Sequence, residues 1–151
     1  MVAGEMPRPI TTATRYRVSC LPPEDVNAQV FTIVVEERAD ETGLRWAVTR
    51  NGVQYYDAEG NLSTGVRWPT QDGVEREPVT DEEWDDYHRR HAQWLDAHRF
   101  TEAEALALAR RLAPKMVFRG KTVADALAES RRSARAALMG GRQAGDARGT
   151  R

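Results

Sequence analysis

Apolar residues alternate in twos up to Trp68 and recur at helical spacing after Thr80. One face of a strand repeats every second residue, and one face of a helix every third or fourth. The alternation predicts a strand over 15–20, with Tyr16, Val18 and Cys20 on one side and Arg15, Arg17 and Ser19 on the other. Pro22 and Pro23 close it, because proline cannot donate to a ladder. A second strand over 30–36 is apolar on both sides, as in the middle of a sheet. A third covers 44–49, with Leu44, Trp46 and Val48 facing inward. Asn51-Gly52 tolerates positive φ twice and predicts a two-residue hairpin, setting Val48 opposite Tyr55 and Ala47 opposite Tyr56. After a turn over 57–61, Leu62, Thr64, Val66 and Trp68 alternate inward on a fifth strand, and 69–78 reads as a polar connection without period.

Three helices follow. Thr80 with Glu83 and Thr101 with Glu104 form capping boxes, in which the hydroxyl and the carboxylate each satisfy a free backbone N–H. Behind the first box, Trp84, Tyr87, His88, His91, Trp94, Leu95 and His98 form one stripe, expected to pack on the inward side of the sheet. The second helix is rich in alanine and leucine and ends at Pro114. A short strand over 115–119 precedes a third helix, from Thr122 with Asp125 to about Leu138. Segregated strands and helices predict an α+β fold: an antiparallel meander of about five strands, packed on one face by two or three helices. It occupies 14–139, between a disordered leader over 1–13 and a flexible basic tail over 140–151.

A length of 151 residues suits one domain. The single cysteine, Cys20, excludes an internal disulfide framework and a four-thiolate zinc site. No apolar run approaches a membrane span, and residues 1–30 hold no signal-peptide core, so a soluble, cytoplasmic protein is expected. The net charge of −1 conceals an asymmetry. Residues 1–109 carry 11 Arg against 20 Asp and Glu, whereas residues 110–151 carry 11 Arg and Lys against 3 acids. An acidic body with a basic arm is one arrangement that meets nucleic acid, although opposite charges also attract within a single fold.

Most motifs dissolve on inspection. Gly120-Lys121-Thr122 lacks the glycine that a phosphate loop needs five positions earlier, where Lys115 stands, so Thr122 is a helix cap. Asp57, Glu59 and Asn61 alternate as in a calcium loop, but the glycine is misplaced and Trp68 stands at the closing Glu. Residues 56–62 are similar to one unit of YD-repeat proteins, which need tandem copies, so the match describes a turn. The cluster Asp81, Glu82, Glu83, Asp85 and Asp86 complements a helix dipole. Cys20, inward on its strand, reads as an inert buried thiol.

Two constellations remain. His88 and His91, three apart, could bind a metal with Asp85 as a third ligand. Arg15, Arg17, Arg45 and Arg67 share the outward side of the sheet with Tyr56. With Arg131, Arg132 and Arg135 of the basic end, they form a candidate surface for single-stranded nucleic acid.

Residues 15–22 (Arg-Tyr-Arg-Val-Ser-Cys-Leu-Pro), 46–49 (Trp-Ala-Val-Thr), 97–106 and 122–127 together resemble small proteins of streptomycete genomes and their phages. The resemblance spans about residues 15–128 and implies an actinobacterial source and a mobile-element setting. It implies no active site, cofactor or ligand.

Three functions follow as expectations. The first is a non-enzymatic module acting on a protein partner. The second is a nucleic-acid-binding protein using the arginine face and the basic arm. The third is a metal-dependent enzyme centred on His88 and His91.

Overall fold

The computed structural model describes residue 4 and residues 6–149, with side chains through Gly140. The fold is α+β. Strands β1 (Arg15–Val18), β2 (Ile33–Asp40), β3 (Gly43–Arg50), β4 (Gln54–Tyr56) and β5 (Leu62–Ser63) form one antiparallel sheet in chain order. Two small hairpins follow, β6 (Thr70–Gln71) with β7 (Val74–Glu75), and β8 (Val117–Phe118) with β9 (Lys121–Thr122). The helices are α1 (Asp81–Ala97), α2 (Glu102–Leu112) and α3 (Val123–Gly149).

All three threonines cap their helices as the sequence predicts. The carboxylate reaches back to the cap N–H only at Thr122, whose N donates to Asp125 at 3.0 Å, whereas Glu83 accepts from Val79 N at 2.9 Å and Glu104 from the Thr101 hydroxyl at 2.9 Å. Glu83 N donates to Thr80 Oγ1 at 3.1 Å, Glu104 N to Thr101 Oγ1 at 3.2 Å, and Asp125 N to Thr122 Oγ1 at 3.2 Å. The α3 backbone continues past Leu138, where the glycines predict an end, to Gly149.

Pairing fixes the two sides of the sheet. Tyr16 opposes Val35, Val18 opposes Ile33, and Val35 opposes Val48, so these side chains share one face with Trp46. Helix α2 covers that face with Ala105, Leu108 and Ala109, and Val123 and Ala126 of α3 complete the core. Ala105 and Ala109 of α2 are both fully buried, so helix and sheet backbones approach closely. A turn of 3-10 helix over Ala28–Phe31 closes one end with Phe31.

Helix α1 lies on the other side. Trp94 stands edge-on to Tyr55 at 5.2 Å between centroids, Trp94 Nε1 donates to Ser63 Oγ at 2.8 Å, and Arg45 pairs with Asp96 at 3.0 Å. The aromatic stripe therefore does not seal the flank of Trp46, as the sequence reading expects. The alanine-rich α2 does, and its fully buried Ala105 and Ala109 let it approach the sheet closely.

The β3–β4 turn also departs from expectation. Thr49 opposes Tyr55 and Arg50 opposes Gln54, so Asn51, Gly52 and Val53 make a three-residue turn. Asn51 and Gly52 take φ of 62° and 72°, as their types suggest, and Val53 is the added residue. A slip of one residue exchanges the two faces of a strand. Tyr56 is therefore in the core, 5% exposed, and Tyr55 occupies the opposite face.

The fifth strand is shorter than its alternation predicts. Gly65, at φ 125°, ends the pairing, and Trp68 stands 43% exposed rather than inward. Cys20 is exposed, not buried. The chain turns before it, where Ser19 Oγ donates to the Phe31 carbonyl at 2.8 Å and accepts from Leu21 N at 3.1 Å.

Candidate functional site

The sheet face under α1 carries the arginines. Its register is read from pairing: Arg17, Val34, Thr49, Tyr55 and Ser63 form one row across the five strands. Arg15, Glu36 and Ala47 form the next row. Trp46 and Phe100 exchange backbone hydrogen bonds at 2.8 and 2.9 Å, which adds the α1–α2 connection to the free edge of β3. Phe100 consequently faces the core with Trp46, and Arg99, one residue earlier, is delivered to the arginine face.

The arginines of this face divide by their partners. Arg45 is held by Asp40 at 2.8 Å and by Asp96 at 3.0 Å, and these contacts raise the pKa of its guanidinium. Arg38 pairs with Glu36, which acts in the same direction. Arg15 and Arg17 are exposed and have no carboxylate partner among the described residues. They line a groove of about 640 Å³ with Gln29, Thr32, Val34, Asn51 and Gly52, all polar or small except Val34.

Arg67 and Tyr56 do not join them. Arg67 is on the connection after β5, with its guanidinium 3.7 Å from Glu75, and its carbonyl accepts from Arg90 at 3.1 Å. Tyr56 is withdrawn into the core, where burial raises the pKa of its phenol and neighbouring Arg50 partly opposes that shift. Tyr55 supplies the aromatic group in its place, with the Arg38 and Arg99 guanidinium carbons 5.9 and 5.2 Å from its ring centre.

Arg131, Arg132 and Arg135 are exposed on α3. Just before them, Ser130 donates to the Asp25 carboxylate, which ties α3 to the connection after β1. That same connection contributes Gln29 and Thr32 to the arginine groove. The basic arm thus departs from the body at the segment that walls the groove.

His88 and His91 line a separate recess of about 480 Å³ with Asp40, Glu41, Arg45 and Asp96. Arg45 occupies the carboxylates of Asp40 and Asp96, and Asp85 is not among the lining residues. Among the described residues no three His, Cys, Asp or Glu side chains come together to hold a metal. The imidazoles extend an aromatic stack along α1 instead. The His91 ring stacks on Tyr87 at 5.9 Å and on Trp94 at 6.3 Å, and His98 stacks on Trp94 at 4.4 Å. His98 is buried, and its Nδ1–H donates to the Trp94 carbonyl at 2.8 Å, which fixes the ring orientation.

No family model matches the chain, and neither a curated protein nor a solved structure matches it. No helix among the described residues is long and apolar enough to cross a membrane.

Proposed function

We propose that the protein is a non-enzymatic binder of single-stranded nucleic acid, held along the groove of Arg15 and Arg17. The observation that carries this reading is their lack of partners. Two guanidinium groups share one polar groove without a carboxylate, while the neighbouring Arg38 and Arg45 are neutralised. Guanidinium pairs with phosphate through two parallel hydrogen bonds, which suits unpartnered arginines at the edge of a sheet. Arg131, Arg132 and Arg135, exposed on α3, add positive charge that strengthens the attraction to phosphate at a distance.

Fluorescence anisotropy of labelled single- and double-stranded oligonucleotides tests the reading. Binding of the single strand should be strongest at about 50 mM salt and fall steeply by about 200 mM, as phosphate contacts require. No binding at the lower salt overturns it.

A protein partner is the second reading, favoured by one observation. Strand β1 ends the sheet, so its outer backbone edge is open to an added strand. Arginines along such an edge also discourage pairing between copies, which is why this reading stands second. Hydrogen exchange slowed at 15–18 by the partner, and not by an oligonucleotide, would favour it.

A further inference from the structure

Arg99 differs from every other arginine on its face, because it is drawn partly out of water and meets no carboxylate. Its guanidinium carbon is 5.2 Å from the centre of Tyr55 and 5.5 Å from that of Trp94. Nη1 donates to the His98 carbonyl at 3.0 Å. Nε is buried without an acceptor, the one such side-chain atom among the described residues. A guanidinium has five N–H groups to satisfy, and a charge removed from water without a counter-charge is costly. Ring faces return part of that cost and supply no acceptor oxygen.

The position of this cation is imposed by the backbone. The paired hydrogen bonds between Trp46 and Phe100 lock the α1–α2 connection, and strand alternation then directs Arg99 toward α1. Arg99 lines a cavity of about 270 Å³, into which Thr64, Tyr87 and His91 also bring polar groups, with Tyr55 and Trp94 as walls. Burial lowers the pKa of the Arg99 guanidinium, and the positive charges of Arg38 and Arg45 act in the same sense against Tyr55 and Asp40. The surroundings thus favour the arrival of negative charge.

We propose that this cavity binds a small ligand bearing one oxyanion group, carboxylate or phosphate, received by Arg99 between Tyr55 and Trp94. Pockets for drug-sized ligands span roughly 300–1,000 Å³, so the ligand is smaller than these and flat enough to lie beside the rings. The site stands independently of the groove of Arg15 and Arg17, which supplies none of its lining.

Thermal unfolding of the full chain tests it, with sodium phosphate or sodium benzoate titrated against sodium chloride at matched ionic strength. A ligand that binds only the folded state raises Tm in a saturable way. At least one of the two anions should do so beyond chloride, phosphate alone marking a phosphate ligand and benzoate alone a carboxylate. Arg99→Gln should abolish the rise while unfolding no lower than the parent, because it removes an uncompensated charge. Arg99→Lys, which keeps the charge and loses the planar fork, should weaken binding by about tenfold or more. The proposal is overturned if neither anion raises Tm beyond chloride, or if Arg99→Gln responds as the parent does. Should Arg99→Gln fail to fold, isothermal titration of the unaltered chain still decides: absence of saturable heat with both anions overturns the site.

Discussion

Thr49 stands opposite Tyr55 across the β3–β4 turn, and this pairing assigns the two adjacent tyrosines opposite fates. Tyr56 packs with Ile33, Val35 and Val48 in the core, whereas Tyr55 meets Trp94 and Arg99 on the other face. Truncating a buried aromatic costs about 3–5 kcal/mol, and one half-buried ring contact roughly 0.5–1.5 kcal/mol beyond its area. Urea unfolding should therefore show Tyr56→Ala far more destabilised than Tyr55→Ala. Equal losses would contradict the register.

The turn between β4 and β5 meets α2 at Ala58, whose carbonyl accepts from Arg111 at 2.6 Å, and at Gly60. Gly60 has φ +88°, and a methyl group there would lie 2.8 Å from Leu112 Cδ2. Left-handed backbone strain of about 1–2 kcal/mol is then joined by a smaller cost for swinging the flexible Leu112 tip aside, and the total should reach about 2–3 kcal/mol. Gly52 also has positive φ, +72°, but open space around it, so Gly52→Ala should cost only the strain. Denaturation midpoints that rank the two variants in the opposite order would argue against close contact between this turn and α2.

Acid should weaken the start of α1. Arg76 and the Val79 N–H hold the Glu83 carboxyl down from 4.5 to about 2. Hydrogen bonds from Thr42 and Arg45 hold Asp40 down from 3.8 to about 2. For both groups the folded value lies below the unfolded one, so the unfolded chain binds the proton first. Their contribution is complete above about pH 4.5 and is lost as pH falls toward 2. Urea midpoints measured across that window should fall for the parent and fall less for a Glu83→Gln/Asp40→Asn variant. Parallel curves would show that these hydrogen bonds carry no net stability.

Helix starts were the most legible feature of the chain. Each threonine-to-carboxylate spacing is a local signal, and Thr80, Thr101 and Thr122 all cap as read. The α+β class was equally legible, because the change of period is independent of tertiary detail. Turn lengths were harder. Asn51-Gly52 reports which residues accept positive φ, but not that Val53 joins them, and one uncounted residue moved Tyr56 from surface to core. Asp72-Gly73, the turn of the β6–β7 hairpin, carries the same kind of signal and could have been read from the sequence. An amphipathic stripe does not say which side of a sheet it covers, so the stripe of α1 does not reveal that it lies on the side opposite Trp46. Alternation alone places Arg15 and Arg17 on one side of the sheet, as the pairing does. It does not place Arg99 there, because that position comes from a bridge between Trp46 and Phe100, far apart in sequence.

Counting the phosphates that the proposed arginine groove neutralises tests the account most directly. For single strands the slope of log K against log salt is about −0.7 per phosphate neutralised. An Arg15→Ala/Arg17→Ala chain should bind a single-stranded oligonucleotide more weakly, with a slope shallower by about 1.4 if each arginine holds one phosphate. A double variant that matches the parent in both affinity and slope would contradict the assignment of the sheet face as the nucleic-acid surface.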